Sequence, residues 1–547
     1  MDLLKELTRI LQGDVVADEE TLNRFSHDAS IFEMKPAVVV FPRNTADIKA
    51  LVSFVAKHKS EEPTLSLAAR SAGTCMSGGP LTNSISVVMT KYLDKIGDVT
   101  GNRIIAEPGV YYRDFEKRTL EHNLILPSFP ASREICAMGG MVNNNSGGEK
   151  NIQYGKTEKY VRRLWMVLAD GNEYEFGPLT PEELEAKVSL PTFEGEVYRK
   201  ISALVMENYT ALQRAKPRVS KNSAGYALWN VWNPEAKIFD LPKLFVGAQG
   251  TLGIMTKAEF ELVPTKKYSR MIIIFLPNLD LLSELTTAVL PHKPESFETY
   301  DDHTLKLALK FFPSLARILG IRHLFSIGWS FLPELMLLLK GGFPKLILQA
   351  EFAGDDATEV EKNVSLLAKE IEAFKVPYRI ARTDQDVLKY KLIRRESFNL
   401  LRKHIKDRHT APFIDDFVVR PELLEEFFPK LNAILSHYDL IYTIAGHMGD
   451  GNFHIIPLMN FKDENQRNII PELSEKVYDL VFAYNGSMTG EHNDGLARGP
   501  WLKKMFGDDV YRLFTETKRI FDPAGIFNPR KKVDVSLGYA LTFIRKD

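Results

Sequence analysis

The chain has 547 residues, of which 44% are hydrophobic and 26% charged, and its formal net charge is −1 at pH 7. This length exceeds a single hydrophobic core, and the balanced charge provides no overall positive field that would indicate a nucleic-acid partner. The two cysteines, Cys75 and Cys136, lie far apart, which excludes a disulfide framework, a cysteine-ligated iron–sulfur cluster and a zinc ribbon within this chain. The composition predicts a globular protein of a reducing compartment.

Two segments bear on membranes. Residues 1–24 predict a short amphipathic helix ending at Gly13, without the basic and apolar regions of a secretory signal. Residues 313–343 are strongly apolar, but Pro333, Glu334 and Lys340 interrupt their most apolar part, 324–343, whereas a spanning helix needs about 20 nearly uncharged apolar residues. We expect an apolar helical insertion within a domain, with a membrane-surface segment as the alternative. The protein is therefore expected in the cytoplasm, at most in peripheral contact with the inner face of the membrane.

Along the chain, the pattern changes character once. From residue 36 to about 175, buried strands alternate with amphipathic helices and glycine-rich turns, which is typical of an α/β arrangement. A charged helical stretch follows near 180–215, and strands resume up to Pro264. Beyond Pro264, long helices separate apolar strands, which predicts an α+β domain with an antiparallel sheet. The last helix is stopped by Asp522 and Pro523.

Three glycine-rich turns lie within about 180 residues of the first part, at 70–79, 138–148 and 247–254. In the first, glycines between two strands let successive backbone N–H groups face one concavity, which suits an anionic phosphate. A strand rather than a helix is predicted to follow it, so it is not the G-x-G-x-x-G turn of a dinucleotide fold. Each turn alone is weak evidence. Together they favour an extended, phosphate-bearing cofactor.

The sequence GHMGDGNFH, 446–454, predicts a β-hairpin, because Asp-Gly favours tight turns and apolar, β-branched residues flank it. With residues 449–452 as the loop, His447 would face His454 with Cβ atoms roughly 5 Å apart on the same side. One divalent metal could then bind both imidazoles. Two histidines that only cap or stack are the alternative.

The chain carries many motifs in one fixed order, among them RSAGTCMSGG, PASREICAMGGMVNNNSGG, KNSAGYALW, GAQGTLGI, GEHNDGLARGPWL and FDPAGIFNP. In these motifs the chain resembles the FAD-dependent 2-hydroxyacid dehydrogenases of the vanillyl-alcohol-oxidase-type (PCMH-type) flavoprotein superfamily, from about residue 25 to the end. This group includes D-lactate dehydrogenases, D-2-hydroxyglutarate dehydrogenases and the glycolate oxidase catalytic subunit. The resemblance implies an α+β fold with a two-subdomain PCMH-type FAD-binding domain at 25–266. An α+β cap with an antiparallel sheet would occupy 267–510, and a segment at 511–547 would return to the FAD domain.

The resemblance also implies how FAD is held. Gly73, Thr74 and Cys75 stand where some members carry a histidine linked to the flavin, so noncovalent FAD is expected. Gln249 replaces a glutamate that is often found in the third turn. The residues expected to contact FAD are Arg70, Ser71, Ala72, Gly73, Thr74, Ser77, Gly78, Ser132, Met138, Gly139, Gly140, Asn143, Asn145, Ser146, Gly250, Thr251, Gly253, Ile254 and Asn528.

By the same resemblance, His447, His454 and Glu491 would bind a divalent metal, usually zinc or manganese. A metal that binds the hydroxyl of a 2-hydroxy acid lowers its pKa. His492 could then remove the proton near neutral pH while hydride passes to flavin N5. The alternative for Glu491 is a buried salt bridge to Arg498.

The substrate carboxylate needs a cation. The resemblance implies Arg395, with Arg394 second and Asn452 beside the metal, while a solvated helix face is the alternative for either arginine. Ile414 and Ile456 stand where dicarboxylate-specific relatives carry a lysine and an asparagine. A distal carboxylate would lack partners there, which favours a monocarboxylate such as D-lactate.

The expected function is therefore oxidation of a D-2-hydroxy acid, with electrons passed to a separate iron–sulfur protein, electron-transfer flavoprotein or quinone; an oligomer is compatible with the sequence. D-2-hydroxyglutarate or glycolate dehydrogenase and a non-redox flavoenzyme of the alkyl-glycerone-phosphate synthase type are alternatives. Two histidines and a carboxylate alone would also suit an iron(II) oxygenase or a zinc hydrolase, but the glycine-rich turns argue against both. A noncatalytic assembly subunit would not need to retain His447, His454, Glu491 and His492.

Overall fold

The computed structural model describes residues 1–302, 343–383 and 407–547, together with residues 304, 306, 386–388, 390, 391 and 394. The α-helices within these residues, α1–α17 in chain order, are Leu3–Ile10, Glu19–Phe25, Thr45–His58, Tyr112–Leu120, Met138–Asn144, Asn151–Tyr154, Pro181–Val188, Phe193–Glu207, Tyr209–Ala215, Pro242–Phe245, Leu282–Val289, Ala357–Glu372, Leu424–Leu435, Glu464–Ala483, Gly495–Arg498, Leu502–Phe521 and Leu537–Leu541.

The β-strands are numbered in the same way. Strands β1–β21 are Asp14–Val16, Val38–Phe41, Leu67–Arg70, Ile85–Val88, Arg103–Ala106, Leu124–Ile125, Val161–Val167, Glu173–Phe176, Pro178–Leu179, Trp232–Asn233, Ile238–Asp240, Ile254–Glu261, Val263–Pro264, Tyr268–Leu276, Ser296–Asp301, Leu346–Gly354, Tyr378–Ala381, His409–Thr410, Phe417–Val418, Ile441–His447 and Asn452–Met459.

The N-terminal part contains two four-stranded sheets, beside the small sheets β10-β11-β9 and β13-β6. The first has the strand order β1-β2-β4-β3, with β2, β4 and β3 parallel and β1 antiparallel at one edge. Residues 1–24 were predicted as one short helix, but they also contain β1 and most of α2, because the β-branched Val15 and Val16 pair with β2. Strand β4 follows the first glycine-rich turn, as predicted. This turn therefore joins two parallel strands at one end of the sheet.

The second sheet has the order β5-β12-β7-β8 and is antiparallel throughout. The third glycine-rich turn leads directly into β12, and the second turn contains α5. The C-terminal segment returns to the first sheet, where Leu67 N donates to Ile526 O and Asn528 N donates to Leu67 O. The two sheets and this returning segment bring the three turns together.

The C-terminal part is built on an antiparallel sheet, which confirms that prediction. Within the described residues its strand order is β17-β14-β16-β15-β20-β21-β18, and β19 also pairs with β21. Ile272 and Leu348 pack on one face in a core cluster with Val360 of α12. Because side chains alternate along a strand, Glu298 and His447 lie on the opposite face. That opposite face carries the candidate site.

The hairpin at 446–454 forms, but its predicted register was wrong. His447 pairs with Asn452 and His454 pairs with Ala445, because the loop is 448–451 rather than 449–452. Gly451 ends this loop with φ 64°, a conformation that favours glycine. The observed pairing is shifted by two residues from the predicted one, and a shift of two leaves every side chain on its predicted face of the sheet. The two histidines therefore still share a face, with ring centroids 5.3 Å apart.

Replacing Gly451 with alanine is expected to destabilise the protein more than the same change at Gly101. Both residues have similar positive φ, 64° and 63°, which costs an alanine about 1–2 kcal/mol at either position. An added Cβ at Gly451 would lie 1.8 Å from Val419 O, whereas one at Gly101 would meet nothing within 4 Å. The shift in the thermal unfolding midpoint of the two purified variants measures the difference. Equal shifts would contradict the steric argument.

The predicted apolar insertion at 313–343 lies outside the described residues except for its last position. Among the helices in the described part of the chain, none is both long enough and apolar enough to cross a bilayer.

Candidate active site

The three glycine-rich turns meet around a cavity of ≈ 660 Å³. Residues of all three contribute to its wall, together with small or apolar residues such as Pro108 and Met255. Of the residues predicted to contact FAD, the wall contains Arg70, Ser71, Ala72, Gly73, Thr74, Gly139, Gly140, Asn143, Gly250 and Gly253. The others do not belong to the wall: Ser77, Gly78, Ser132, Met138, Asn145, Ser146, Thr251, Ile254 and Asn528.

Several residues outside the wall hold the turns in place. The side-chain amide of Asn528 donates to Gly79 O at 2.9 Å and to Gln249 O at 2.8 Å, so it joins the first and third turns. Gly78 N donates to the buried carboxylate of Asp28. Thr251 Oγ1 donates to Ala248 O at 2.6 Å within the third turn. These side chains therefore shape the cavity from behind.

Gln249 connects all three turns. Its Nε2 donates to Ser77 Oγ at 3.2 Å and to Asn144 Oδ1 at 3.3 Å, and its Oε1 accepts from Gly495 N at 2.8 Å. A glutamate at this position would lack the two amide donors. The amide therefore suits a site in which both neighbours offer oxygen atoms.

Arg70 lies in the wall, but its guanidinium is bound to the protein. It donates to Phe25 O at 3.3 Å and to His27 O at 2.6 Å, and it is almost fully buried. Its charge therefore contributes to the field of the cavity while its hydrogen bonds fix the strand end of the first turn.

The wall suits close approach of a large, flat group. A Cβ added at Gly140 would meet nothing nearer than Ser71 Cβ at 3.7 Å, and one at Gly250 nothing nearer than Ala69 Cβ at 3.7 Å. Glycines at such open positions let the backbone itself contact a ligand. A glycine-lined cavity formed by all three turns, with the amide of Asn143 in its wall, is consistent with the predicted FAD.

Beside this cavity, three imidazoles converge on one carboxylate oxygen. The Nε2 atoms of His447, His454 and His492 lie 3.3, 3.5 and 3.9 Å from Glu491 Oε1. Strands β20 and β21 supply the first two histidines, and the loop before α15 supplies His492 and Glu491. Nitrogen and oxygen donors around one point are ligands that zinc and manganese accept. These four residues could hold a divalent metal.

Carboxylates hold the far side of every ring. His447 Nδ1 lies 2.8 Å from Glu298 Oε1. The Nδ1 atoms of His454 and His492 lie 3.0 and 2.7 Å from the two oxygens of Asp415. A carboxylate at Nδ1 keeps the proton there and leaves the Nε2 lone pair free, as in many metal sites. The hydrogen bonds at Nδ1 therefore set the tautomers of His447 and His454 for binding at Nε2.

The field of the protein acts strongly on this cluster. Burial by itself would lower the pKa of His492, but Asp416 and Asp415 outweigh it and raise that pKa to about 9. Burial by itself would raise the pKa of Glu491, but Lys221, His447 and His454 together outweigh it and hold that pKa well below the usual value. Glu491 is therefore an anion at neutral pH, and His492 carries a proton unless another cation lies close by.

Asp416 also lies close to the cluster, since one of its oxygens is within 4.8 Å of ligand atoms of His454, Glu491 and His492. Its two oxygens accept hydrogen bonds from the backbone N–H groups of Glu491 and His492 and from Thr489 Oγ1. Asp416 therefore orders the loop that presents Glu491 and His492.

Glu491 does not pair with Arg498. The guanidinium of Arg498 donates to Asn493 O at 3.1 Å and to Asp415 O at 2.7 Å. Glu491 Oε2 instead lies 3.1 Å from Lys221 Nζ. The alternative reading of Glu491 as a partner of Arg498 is therefore wrong.

The predicted substrate-binding residues differ in their surroundings. Arg394 forms an ion pair with Glu298 and so lies behind His447. Asn452 is buried, and its amide donates to Asp416 Oδ1 at 3.0 Å and to Phe417 O at 3.2 Å. Arg395 lies outside the described residues.

The cluster adjoins the cavity directly. The side-chain amide of Asn493 donates to Gly247 O at 2.8 Å and to Asn144 O at 3.3 Å, which belong to the third and second turns. A Cβ at Gly147 would lie 3.3 Å from Glu491 Oε2. A group in the cavity and a ligand on the histidines would therefore be neighbours.

Family comparison agrees with this arrangement. Residues 36–177 match the model of the FAD binding domain, and residues 265–532 match the model of the C-terminal domain of FAD linked oxidases. The chain belongs to the FAD-linked oxidase family. Its wall-lining turns at 70–79 and 138–148 fall in the first matched region, and the histidine cluster falls in the second.

Curated relatives of this FAD-linked oxidase carry three different names. The D-2-hydroxyglutarate dehydrogenase of Pseudomonas putida is 26% identical over 527 residues, which cover 95% of this chain and 50% of that protein. The D-lactate dehydrogenase of Archaeoglobus fulgidus is 25% identical and covers 97% and 99%. The glycolate oxidase subunit GlcD of Bacillus subtilis is 23% identical and covers 97% and 96%. The chain spans about half the length of the D-2-hydroxyglutarate dehydrogenases that it matches.

Solved structures agree on the fold. The 4-ethylphenol oxidase from Gulosibacter chungangensis superposes with a TM-score of 0.67 at 16% identity, covering 97% of this chain and 96% of that one. An alkyldihydroxyacetonephosphate synthase superposes with a TM-score of 0.64 at 14% identity, covering 96% and 84%. At these identities the likeness supports the PCMH-type fold alone.

Sequence reasoning missed the residues that surround the histidines. Asp415 and Asp416 form the adjacent acid pair in PFIDDFVV, and Lys221 opens the motif KNSAGYALW. All three residues therefore lie in motifs that the sequence shows. Glu298 lies in the strand SFETYD, where an acidic residue between Phe297 and Thr299 is the only sign. A buried acid in a strand needs a partner, and here the partners are His447 and Arg394.

Proposed function

We propose that this FAD-linked oxidase oxidises a D-2-hydroxy acid to the 2-oxo acid, with noncovalent FAD in the glycine-lined cavity and a divalent metal on the histidine cluster. The observation that carries the proposal is the convergence of three imidazole Nε2 atoms on Glu491 Oε1 directly beside that cavity. The names of the curated relatives support the substrate class, since all three are enzymes of 2-hydroxy acids.

In this proposal His447, His454 and Glu491 hold the metal, zinc or manganese. When bound, the metal supplies Lewis-acid polarisation of the substrate hydroxyl. Glu298 and Asp415 fix the two imidazoles through their Nδ1 atoms, so that each Nε2 faces the same point. This preorganisation explains why buried carboxylates lie behind the ligands.

His492 serves as the base. Asp415 Oδ2 lies 2.7 Å from its Nδ1, and this charge contact holds the ring with Nε2 toward the cluster. Nε2 is then the atom that accepts the substrate hydroxyl proton. The resulting imidazolium is stabilised by Asp415 and Asp416, whose charges both favour the protonated ring. FAD held in the glycine-lined cavity would supply the acceptor for the hydride of the substrate carbon.

For the substrate we propose a monocarboxylate such as D-lactate, and the structure changes the residues on which this rests. Ile414 is buried in the core cluster that contains Ile272 and Val360, so its side chain carries no argument about substrate. Ile456 lies two residues after His454 on the same strand and therefore on the same face. An apolar side chain there gives a distal carboxylate no partner. D-2-hydroxyglutarate and glycolate are the competing substrates.

For the oxidative half-reaction we propose a separate electron acceptor: an iron–sulfur protein, an electron-transfer flavoprotein or a quinone. Both cysteines of the chain are buried and far apart in sequence, so neither belongs to a cluster-binding motif within this chain. Rapid turnover with NAD as sole acceptor would contradict this proposal.

Anaerobic flavin reduction tests the proposed reaction. The purified protein should be yellow, and acid precipitation should release its FAD. D-lactate should bleach the flavin faster than D-2-hydroxyglutarate or glycolate do, and L-lactate should leave it oxidised. Removal of metal with a chelator should abolish bleaching, and added zinc or manganese should restore it. A flavin that no 2-hydroxy acid reduces would overturn the proposal and favour the non-redox alternative.

A further inference from the structure

Lys221 lies between the second glycine-rich turn and the histidine cluster. Its side chain is fully buried, and its Nζ lies 3.1 Å from Glu491 Oε2, 3.3 Å from Asn452 Oδ1 and 3.5 Å from Asp450 Oδ2. Its remaining contact is Gly148 O at 3.4 Å, in the second glycine-rich turn. One ammonium thus joins a turn of the FAD-binding domain to the loop that carries the metal-binding glutamate.

The two oxygens of Glu491 face different partners. Oε1 faces the Nε2 atoms of the three histidines, the nearest at 3.3 Å. Oε2 faces Lys221 at 3.1 Å. A carboxylate can bind a metal through one oxygen or through both, and the choice decides how many positions around the metal remain open.

We propose that Lys221 is a positioning residue that makes Glu491 bind the metal through Oε1 alone. This inference rests on the proposed function, because it assumes a metal on the histidine cluster. For Oε2 to turn toward the metal, its ion pair with Lys221 at 3.1 Å would have to break, and the buried ammonium would keep only the longer contact with Asp450 Oδ2 at 3.5 Å among its described carboxylate partners. Breaking a buried ion pair is unfavourable. Catalytic metal sites keep an open position for the substrate. Lys221 therefore preserves the room that the hydroxyl and carboxylate oxygens of the substrate need.

A second, partly buried contact between the domains provides a comparison. Lys150 Nζ lies 3.0 Å from Glu295 Oε2, and it also joins a residue after the second turn to the antiparallel sheet. Neither residue of this pair contacts the histidines in the described part of the chain. If Lys221 only tethered the domains, then Lys150→Met and Lys221→Met would have similar effects.

Cobalt(II) substitution tests the proposal, because the visible absorption of cobalt(II) depends on its coordination number and geometry. Wild type, Lys221→Met and Lys150→Met are loaded with FAD and cobalt(II) and titrated with oxalate, an unreactive ligand that offers two oxygens. We expect Lys221→Met to retain cobalt and FAD but to show an altered cobalt spectrum. Its affinity for oxalate should fall roughly tenfold or more, which is the usual effect of removing a residue that holds a metal ligand in place. Lys150→Met should match wild type in both measurements.

Lys221→Gln supplies a variant of intermediate chemistry, since its amide can still donate to Oε2 but carries no charge. Its oxalate affinity should be intermediate between those of wild type and Lys221→Met. If Lys221→Met does not fold, the comparison of Lys221→Gln with wild type tests the proposal. Wild-type spectra and oxalate affinities in the folded Lys221 variants would overturn the proposal. Joint loss of cobalt and FAD from them would also overturn it, since that result marks a tether. A wild-type protein that takes up no stoichiometric metal would instead overturn the proposed function, and this inference with it.

Discussion

Replacing His492 with asparagine is expected to slow anaerobic reduction of the bound flavin by roughly 10²–10⁴-fold, the usual contribution of a positioned base. Asparagine retains a side-chain donor near Asp415, which lies 2.7 Å from His492 Nδ1, but it cannot accept the substrate proton. FAD should stay bound, because His492 does not belong to the cavity wall. Stopped-flow bleaching with D-lactate measures the rate.

Metal content distinguishes the two roles open to His492. Its Nε2 lies 3.9 Å from Glu491 Oε1, farther than the Nε2 atoms of His447 and His454. We therefore expect metal near the wild-type level in His492→Asn by elemental analysis. Loss of metal from this variant would make His492 a ligand rather than a base, and an unchanged reduction rate would exclude both roles.

The second large effect is expected for His447→Ala, which should lose metal and substrate affinity together. His447 offers one of the two nearest nitrogens to Glu491 Oε1, at 3.3 Å. The change leaves Glu298 paired with Arg394, so it does not create an unpaired buried carboxylate. Metal content and the concentration of D-lactate that gives half-maximal bleaching are the two measurements, and FAD content should not change.

His437→Ala is a suitable control for that variant. His437 is exposed in the loop between α13 and β20. Among the described residues, its Nδ1 has a hydrogen bond only with the backbone oxygen of Ala433. It should keep full metal and a wild-type bleaching rate. If His447→Ala also keeps full metal, then the histidine cluster is not the metal site, whatever the reduction rate.

Local features of this protein could be predicted because they depend on residues close together in sequence. The glycines of 70–79 predicted a turn between strands, and β4 follows it. The Asp-Gly pair and its flanks predicted the hairpin, and alternation placed His447 and His454 on one face even though the register was wrong by two. The loop is 448–451 rather than the predicted 449–452. Its residue with positive φ is Gly451, where the close approach of Val419 O leaves no room for a side chain.

Contacts between distant parts of the chain could not be predicted in this way. Arg70 was expected to contact FAD, and the structure adds that its guanidinium donates to Phe25 O and His27 O. Arg394 was expected to bind substrate, and the structure adds its ion pair with Glu298. Each of these partners depends on how neighbouring segments pack, and neither periodicity nor turn chemistry contains that information.

By itself, the sequence determined the kinds of element, the glycine-rich turns, the shared face of the two hairpin histidines and the resemblance to FAD-linked enzymes of 2-hydroxy acids. Only the tertiary structure decided that Lys221, separated by 270 residues from Glu491, would take one of its two oxygens. It also decided that Asp415 and Glu298 would stand behind the imidazoles. The physical reason is that a buried charge must find its partner wherever packing brings one, and packing joins residues without regard to their separation along the chain.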